Sequence, residues 1–163
     1  MAKNKEEKTN VMRVLEQKKI AYTPHSYPHE EGVAVDGVTV AQSMGFDPAI
    51  VFKTLVARGA SKQYYVFDVP VAENLDLKKA AKAVGEKSIE MIHQKELLPL
   101  TGYVHGGCSP VGMKKLFPTV FHSSAENLAA MIVSAGKIGY QVELSPRDLA
   151  ALVRAKFEDI IVE

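Results

Sequence analysis

The chain has a single cysteine, Cys108, so an intrachain disulfide and a four-cysteine zinc site are both excluded by count. It also lacks any run of about 18 apolar residues, so no membrane-crossing helix is expected. The opening stretch from Met1 to Lys8 is too polar and acidic for a secretory signal, and the protein is expected in the cytoplasm. Charge of one sign is missing too. Twenty basic and 19 acidic residues leave a formal charge of +1, spread along the chain without a block. No broad phosphate-binding field follows from this pattern, and any nucleic-acid contact would involve few phosphates and a shallow salt dependence.

Metal binding would have to use histidine and carboxylate ligands. His25 and His29 have a helical i, i+4 spacing, but Pro24 and Pro28 interleave them and favour an extended segment, so no metal is expected. What the chain does contain is enough apolar residue, 47% of 163, for one continuous core and one domain.

The hydrophobic spacing of Val11, Val14 and Leu15 predicts a packing helix over Asn10 to Lys19, capped by Thr9 or Asn10. Tyr22 to Tyr27 has the composition of a short edge strand, and Glu30 to Val38 reads as a loop. A short helix from Thr39 to Met44 should stop at Gly45, followed by an Asp47 cap with Pro48 at the first helical position. Phe52 to Arg58 and Tyr64 to Val69 read as a hairpin, and Asp76 to Gly85 as a capped helix. Further strands are expected at Ser88 to Met91, Tyr103 to His105, Thr119 to His122, Ala130 to Val133, Tyr140 to Leu144 and Phe157 to Val162. Helices should cover Gln94 to Leu98 and Pro146 to Arg154. Strands outnumber helices and several are joined by hairpin-length turns, which predicts an α+β fold with a largely antiparallel or mixed sheet.

Three stretches could carry chemistry. Gly106-Gly-Cys-Ser-Pro-Val-Gly112 leaves backbone amides unencumbered, as an oxyanion hole requires, and it equally suits an ordinary tight turn. No Gly-Lys-Ser/Thr closes it, so it is not a phosphate-cradling P-loop. Lys53 falls by alternation on the strand face of Val51 and Leu55, where a lysine either fixes a polar ligand or extends to solvent from a sheet edge. Val133 to Gly139 is a glycine turn between apolar strands that offers Ser134 and Lys137 as polar groups. Cys108 as a nucleophile would need a base, and the sequence assigns it none of the five histidines.

Phe52-Lys53-Thr54-Leu55, Gly106 to Gly112 and Ser134-Ala135-Gly136-Lys137 occur in an order and spacing that resembles the YbaK-type Cys-tRNA(Pro) deacylases of the prolyl-tRNA editing-domain superfamily. The resemblance extends through Leu75 to Lys82 and Val142 to Leu149, and so covers nearly the whole chain beyond its amino-terminal tail. It implies a single editing domain over residues 1–163, with a mixed, largely antiparallel barrel-like sheet, surrounding helices and no cofactor. It also implies a pocket for the aminoacyl-adenosine end of a mischarged tRNA(Pro). By position in the family pattern, Lys53, Gly106 and Gly107 would be catalytic, and Tyr22, Thr54, Ser109, Ser134 and Lys137 would bind substrate. The chain departs from the pattern at Ala135, where glycine is usual, and at Cys108, where an aliphatic residue is common. Alanyl-tRNA(Pro) deacylases tend to carry asparagine after the lysine, so Thr54 points to the cysteine branch. The family is understood to let the substrate thiol attack its own ester carbonyl, and it acts on the tRNA acceptor end, in some relatives together with prolyl-tRNA synthetase. An Ala-tRNA(Pro) or broader aminoacyl-tRNA deacylase, a noncatalytic aminoacyl-nucleotide-binding module and a Cys108 thiol hydrolase are the alternatives.

Overall fold

The computed structural model describes residues 8–163. Helix α1 (Asn10–Gln17) begins where the Thr9 side chain accepts from the Met12 amide, and it buries Val11, Met12 and Leu15. Strand β1 (Thr23–Ser26) follows at a sheet edge, as its proline requires. Helix α2 (Gly37–Met44) is capped by Asp36, whose carboxylate accepts from the Thr39 amide and hydroxyl, and it ends at Gly45 in the left-handed conformation. The segment expected to be loop up to Val38 therefore turns helical two residues early. A Cβ on Gly37 would stand 2.6 Å from a Val71 methyl carbon, so this glycine serves close packing of the first turn.

After a 3-10 turn at Pro48–Ile50, β2 (Phe52–Gly59) and β3 (Tyr64–Pro70) form the expected antiparallel hairpin, with Thr54 opposite Asp68 and Lys53 opposite Val69. Helix α3 (Leu77–Val84) lies between its Asp76 cap and Gly85. Strand β4 (Ile89–Met91) then leads to α4 (Gln94–Thr101), which runs through Pro99 one turn past its expected end. Strands β5 (Thr119–His122), β6 (Met131–Ser134) and β7 (Tyr140–Leu144), helix α5 (Pro146–Val153) and β8 (Lys156–Glu158) complete the chain. Tyr103 to His105 is not a strand. The Tyr103 ring is instead buried and its hydroxyl donates to the Val111 carbonyl, which anchors the glycine loop from inside.

The strands form two sheets, β1-β7-β6 and β4-β2-β3-β5-β8. The first is wholly antiparallel, whereas β5 pairs in parallel with both β3 and β8, so the fold is mixed α+β. No closed ring of strands occurs among the described residues. The sheets meet instead at one parallel bridge, Val51 to Ile132, at the head of β2. Alternation along β2 sends Phe52 and Val56 into one core with Val66, Phe121, Val133 and Leu149. Leu55 and Ala57 face a second core with Phe67, Val69 and Ile160. Full burial of a side chain such as Phe67 or Leu149 contributes about 1.5–3 kcal/mol, so both faces of the β2–β3 hairpin are fixed firmly.

Candidate active site

The head of β2 borders a cavity of about 230 Å³ at the junction of the two sheets. Lys53, Thr54 and Leu55 reach it from β2, Ser134 from the end of β6, Gln141 from β7, and Gly106 and Cys108 from the glycine loop. Val40 and Asp36 close it from α2 and its cap, and Tyr27 stands at the end of β1. A space of this size, largely apolar with a few converging polar groups, suits an amino-acid side chain and its carbonyl.

Lys53 is half-buried, and burial pulls its ammonium below the ordinary lysine range, while the carboxylates of Asp36 and Glu73 act in the opposite direction. Asp36 itself is held below the usual carboxylate range chiefly by the Thr39 hydroxyl and amide. Thr54 donates its hydroxyl to Asp68 Oδ1 at 2.5 Å. Asp68 is completely buried, and that burial lifts its carboxyl to about 7 against the single hydrogen bond from Thr54. Its second oxygen has no partner among the described residues.

The glycine loop packs its backbone against the β6–β7 turn. A Cβ on Gly107 would lie 3.1 Å from the Ile138 nitrogen and 3.3 Å from the Lys137 Cα, so the residue is glycine because two main chains touch there. At Gly106, φ is +90° and a Cβ would meet the Ala34 Cβ at 2.7 Å. The Gly107 amide donates to the Val104 carbonyl and the Val111 amide to Ser109 Oγ. The amides of His105, Gly106 and Cys108, all on cavity-lining residues, carry no intramolecular partner among the described residues.

The structure thus brings together Lys53, Thr54, Gly106 and Ser134 of the residues singled out in the sequence. Ser134 also accepts from the Gly136 amide, which shapes the turn beneath the pocket. Gly107 and Ser109 lie behind the wall, with Ser109 fully buried. Lys137 borders a second, separate cavity with His29 and Tyr140, and its ammonium lies over the Tyr140 ring at 5.8 Å. Tyr22 packs near α1 and donates to Glu16, whereas the tyrosine at the pocket is Tyr27. Besides Tyr27, two residues of the site escape sequence reasoning altogether, one on the cavity wall and one behind it. Gln141 occupies an inward position of an ordinary apolar strand, and Asp68 is hydrogen-bonded to the site through Thr54 across the hairpin. The register of a hairpin with Thr54 opposite Asp68 is the one signal that would have exposed the second.

Cys108 borders the cavity, but burial pushes its thiol up to about 12, with the nearby Asp68 carboxyl adding to the effect. A thiol held neutral in this way is a poor nucleophile. Among the described residues no three His, Cys, Asp or Glu side chains gather as metal ligands, and no helix is long and apolar enough to cross a membrane.

Comparison with known proteins gives the same picture at family level. Residues 32–152 match the aminoacyl-tRNA editing domain. A protein of Enterococcus faecalis, provisionally named Cys-tRNA(Pro)/Cys-tRNA(Cys) deacylase EbsC, is 45% identical over 161 residues, which is 98% of each chain. Among solved structures, one described as a provisional trans-editing enzyme for prolyl-tRNA synthetase superposes with a TM-score of 0.79 at 24% identity, covering 94% of this chain and 95% of its own. A hypothetical protein does so with a TM-score of 0.82 at 19% identity, covering 93% and 99%. These two likenesses are of fold. The cavity at the sheet junction, with its lysine, threonine, serine and glycine-loop amides, lies within the matched residues, and the chain belongs to the aminoacyl-tRNA editing-domain family.

Proposed function

We propose that this protein is a trans-editing deacylase that removes cysteine from mischarged Cys-tRNA(Pro). The observation that carries the reading is the convergence of Lys53, Thr54, Gly106 and Ser134 on one amino-acid-sized cavity whose glycine loop has unpartnered amides and whose cysteine is not activated. The name borne by the Enterococcus faecalis relative supports the substrate.

The chemistry follows from that arrangement. The substrate's own thiol, once deprotonated, attacks its ester carbonyl, so a C–S bond forms and the C–O bond to the terminal ribose breaks. Cysteine leaves as a thiolactone and the ribose hydroxyl takes up a proton. The protein holds thiol and carbonyl at reacting distance and stabilises the oxyanion with the Gly106 and Cys108 amides. Lys53 supplies positive charge at the pocket mouth for the developing oxyanion or the ribose oxygens. Residues 1–163 act as one editing domain in the cytoplasm, which meets the tRNA acceptor end and works with prolyl-tRNA synthetase. Such editing is needed because a synthetase pocket discriminates poorly between amino acids of similar size.

The test is release of amino acid from Cys-tRNA(Pro), Ala-tRNA(Pro) and Ser-tRNA(Pro) by the wild type and Lys53→Ala side by side. Lys53-dependent loss of cysteine alone supports the reading. Loss of alanine instead moves the assignment to an alanyl branch, and binding without release, even with prolyl-tRNA synthetase present, makes the protein a noncatalytic module.

A further inference from the structure

Among the described residues Asp68 is the one fully buried acidic side chain, and the reaction above leaves it unused. Its surroundings are specific. Thr54 faces it from β2 and donates to Oδ1 at 2.5 Å, Phe121 stands beside it on β5, and the Cys108 thiol approaches from the glycine loop within electrostatic reach. None of these carries a positive charge, and Lys53 projects from the opposite face of β2. Asp68 Oδ2 has no partner, and neither does the Oε1 of Gln141, a cavity-lining residue that is 6% exposed.

A hydroxyl has one hydrogen. Because Thr54 gives its hydrogen to Asp68, only lone pairs remain for the cavity it lines. The pocket is therefore bordered by the Thr54 oxygen, with lone pairs to offer, and by Gln141 Oε1, which has no partner although the Gln141 side chain also hydrogen-bonds Tyr27, and a buried acceptor of this kind calls for a ligand that completes it. An aminoacyl ester brings donors in its α-ammonium group. We propose that Asp68 is a positioning residue that turns the Thr54 hydroxyl away from the cavity, so that Thr54 and Gln141 together accept from the α-ammonium of the bound aminoacyl group.

This inference rests on the deacylase reading. Protonation of Asp68 reverses the arrangement. A buried O–H at Oδ2 would have no acceptor, so the proton goes to Oδ1 and donates to Thr54, whose own hydrogen then turns toward the ammonium. Burial sets this changeover at about 7. Asp68→Asn fixes the acid-like arrangement by the same logic, its amide donating to Thr54 at every pH.

The experiment is kcat/KM for cysteine release from Cys-tRNA(Pro) between pH 5.5 and 8.5, for wild type, Asp68→Asn, Thr54→Val and the double variant. Dividing wild type by Asp68→Asn cancels the titration of the substrate's thiol, and that of its amine where both proteins act on the ammonium form. The expected ratio is about one below pH 6 and rises to about tenfold at pH 8, the size of one charge-assisted contact. In the Thr54→Val background Asp68→Asn has no effect at any pH, and Thr54→Ser restores the dependence. Should Asp68→Asn fail to fold, the ratio of wild type to Thr54→Val must show the same rise. A flat ratio, or an equal Asp68→Asn loss with and without the Thr54 hydroxyl, overturns the proposal while leaving the deacylase intact. A wild type that releases no amino acid overturns the deacylase reading and this inference with it.

Discussion

Replacement of Asp68 by asparagine should make the protein more stable at alkaline pH and leave it near parity in acid. Burial lifts the Asp68 carboxyl from 3.8 to about 7 in the folded chain. Between those values the folded state holds a proton that the unfolded state has released, so stability falls as pH rises. A shift of about 3 units corresponds to about 4 kcal/mol of destabilisation once the group is ionised in both states. Asparagine is neutral throughout. With its amide turned to Thr54 it leaves only a carbonyl oxygen in the partnerless position of Oδ2, at about 1 kcal/mol independent of pH. From pH 5 to pH 8 the difference should therefore move in favour of the variant by about 2–3 kcal/mol. Urea unfolding at both pH values, with slopes compared to confirm two-state behaviour, measures this directly. The other titrating groups, His122 among them, are common to both proteins and cancel. Parallel stability curves, or a wild type that gains on the variant as pH rises, would refute the assignment of Asp68 as a buried acid.

Lys53→Ala should lower cysteine release by at least about 100-fold, or about 3 kcal/mol of transition-state stabilisation, with little change in melting temperature because Lys53 is only half-buried. Cys108 should resist alkylation at pH 8 in the folded protein and react promptly in denaturant, and Cys108→Ala should retain deacylation within a few fold; loss of activity would favour a thiol hydrolase. Gly106→Ala must accommodate both φ of +90° and the contact with Ala34, so a loss of about 1–3 kcal/mol is expected by thermal unfolding, and Ala34→Gly should recover only the contact part. Measured against salt, kcat/KM should fall with a log–log slope no steeper than about −2, as few phosphates are engaged; a slope near −6 would reveal an extended tRNA footprint.

Elements with strong local signals were legible in the sequence. Asp76 and Gly85 bracket α3, Asp47-Pro48 opens a 3-10 turn, Ser145-Pro146 opens α5, and the β2–β3 hairpin follows its alternation. What local signals could not convey is tertiary. Gly37 reads as a loop residue, yet it is glycine because Val71 packs on the first turn of α2. Tyr103 to His105 has strand-like composition, but the buried Tyr103 ring commits that backbone to holding the loop. In the site, Lys53, Thr54, Gly106 and Ser134 were legible because they belong to motifs. Tyr27, Gln141 and Asp68 were not, since each enters through sheet pairing over distances the chain does not display.

The single bridge between Val51 and Ile132 leaves the cavity lying across a seam between two sheets, each internally rigid through its own ladder. Its walls therefore belong to two sheets that share the core beneath them, Phe52 and Val56 coming from one and Val133 and Val142 from the other. Substitutions in that shared core, at Val56 or Val133 for instance, should shift the two walls relative to each other and so retune which amino acid fits, without altering a side chain that lines the cavity.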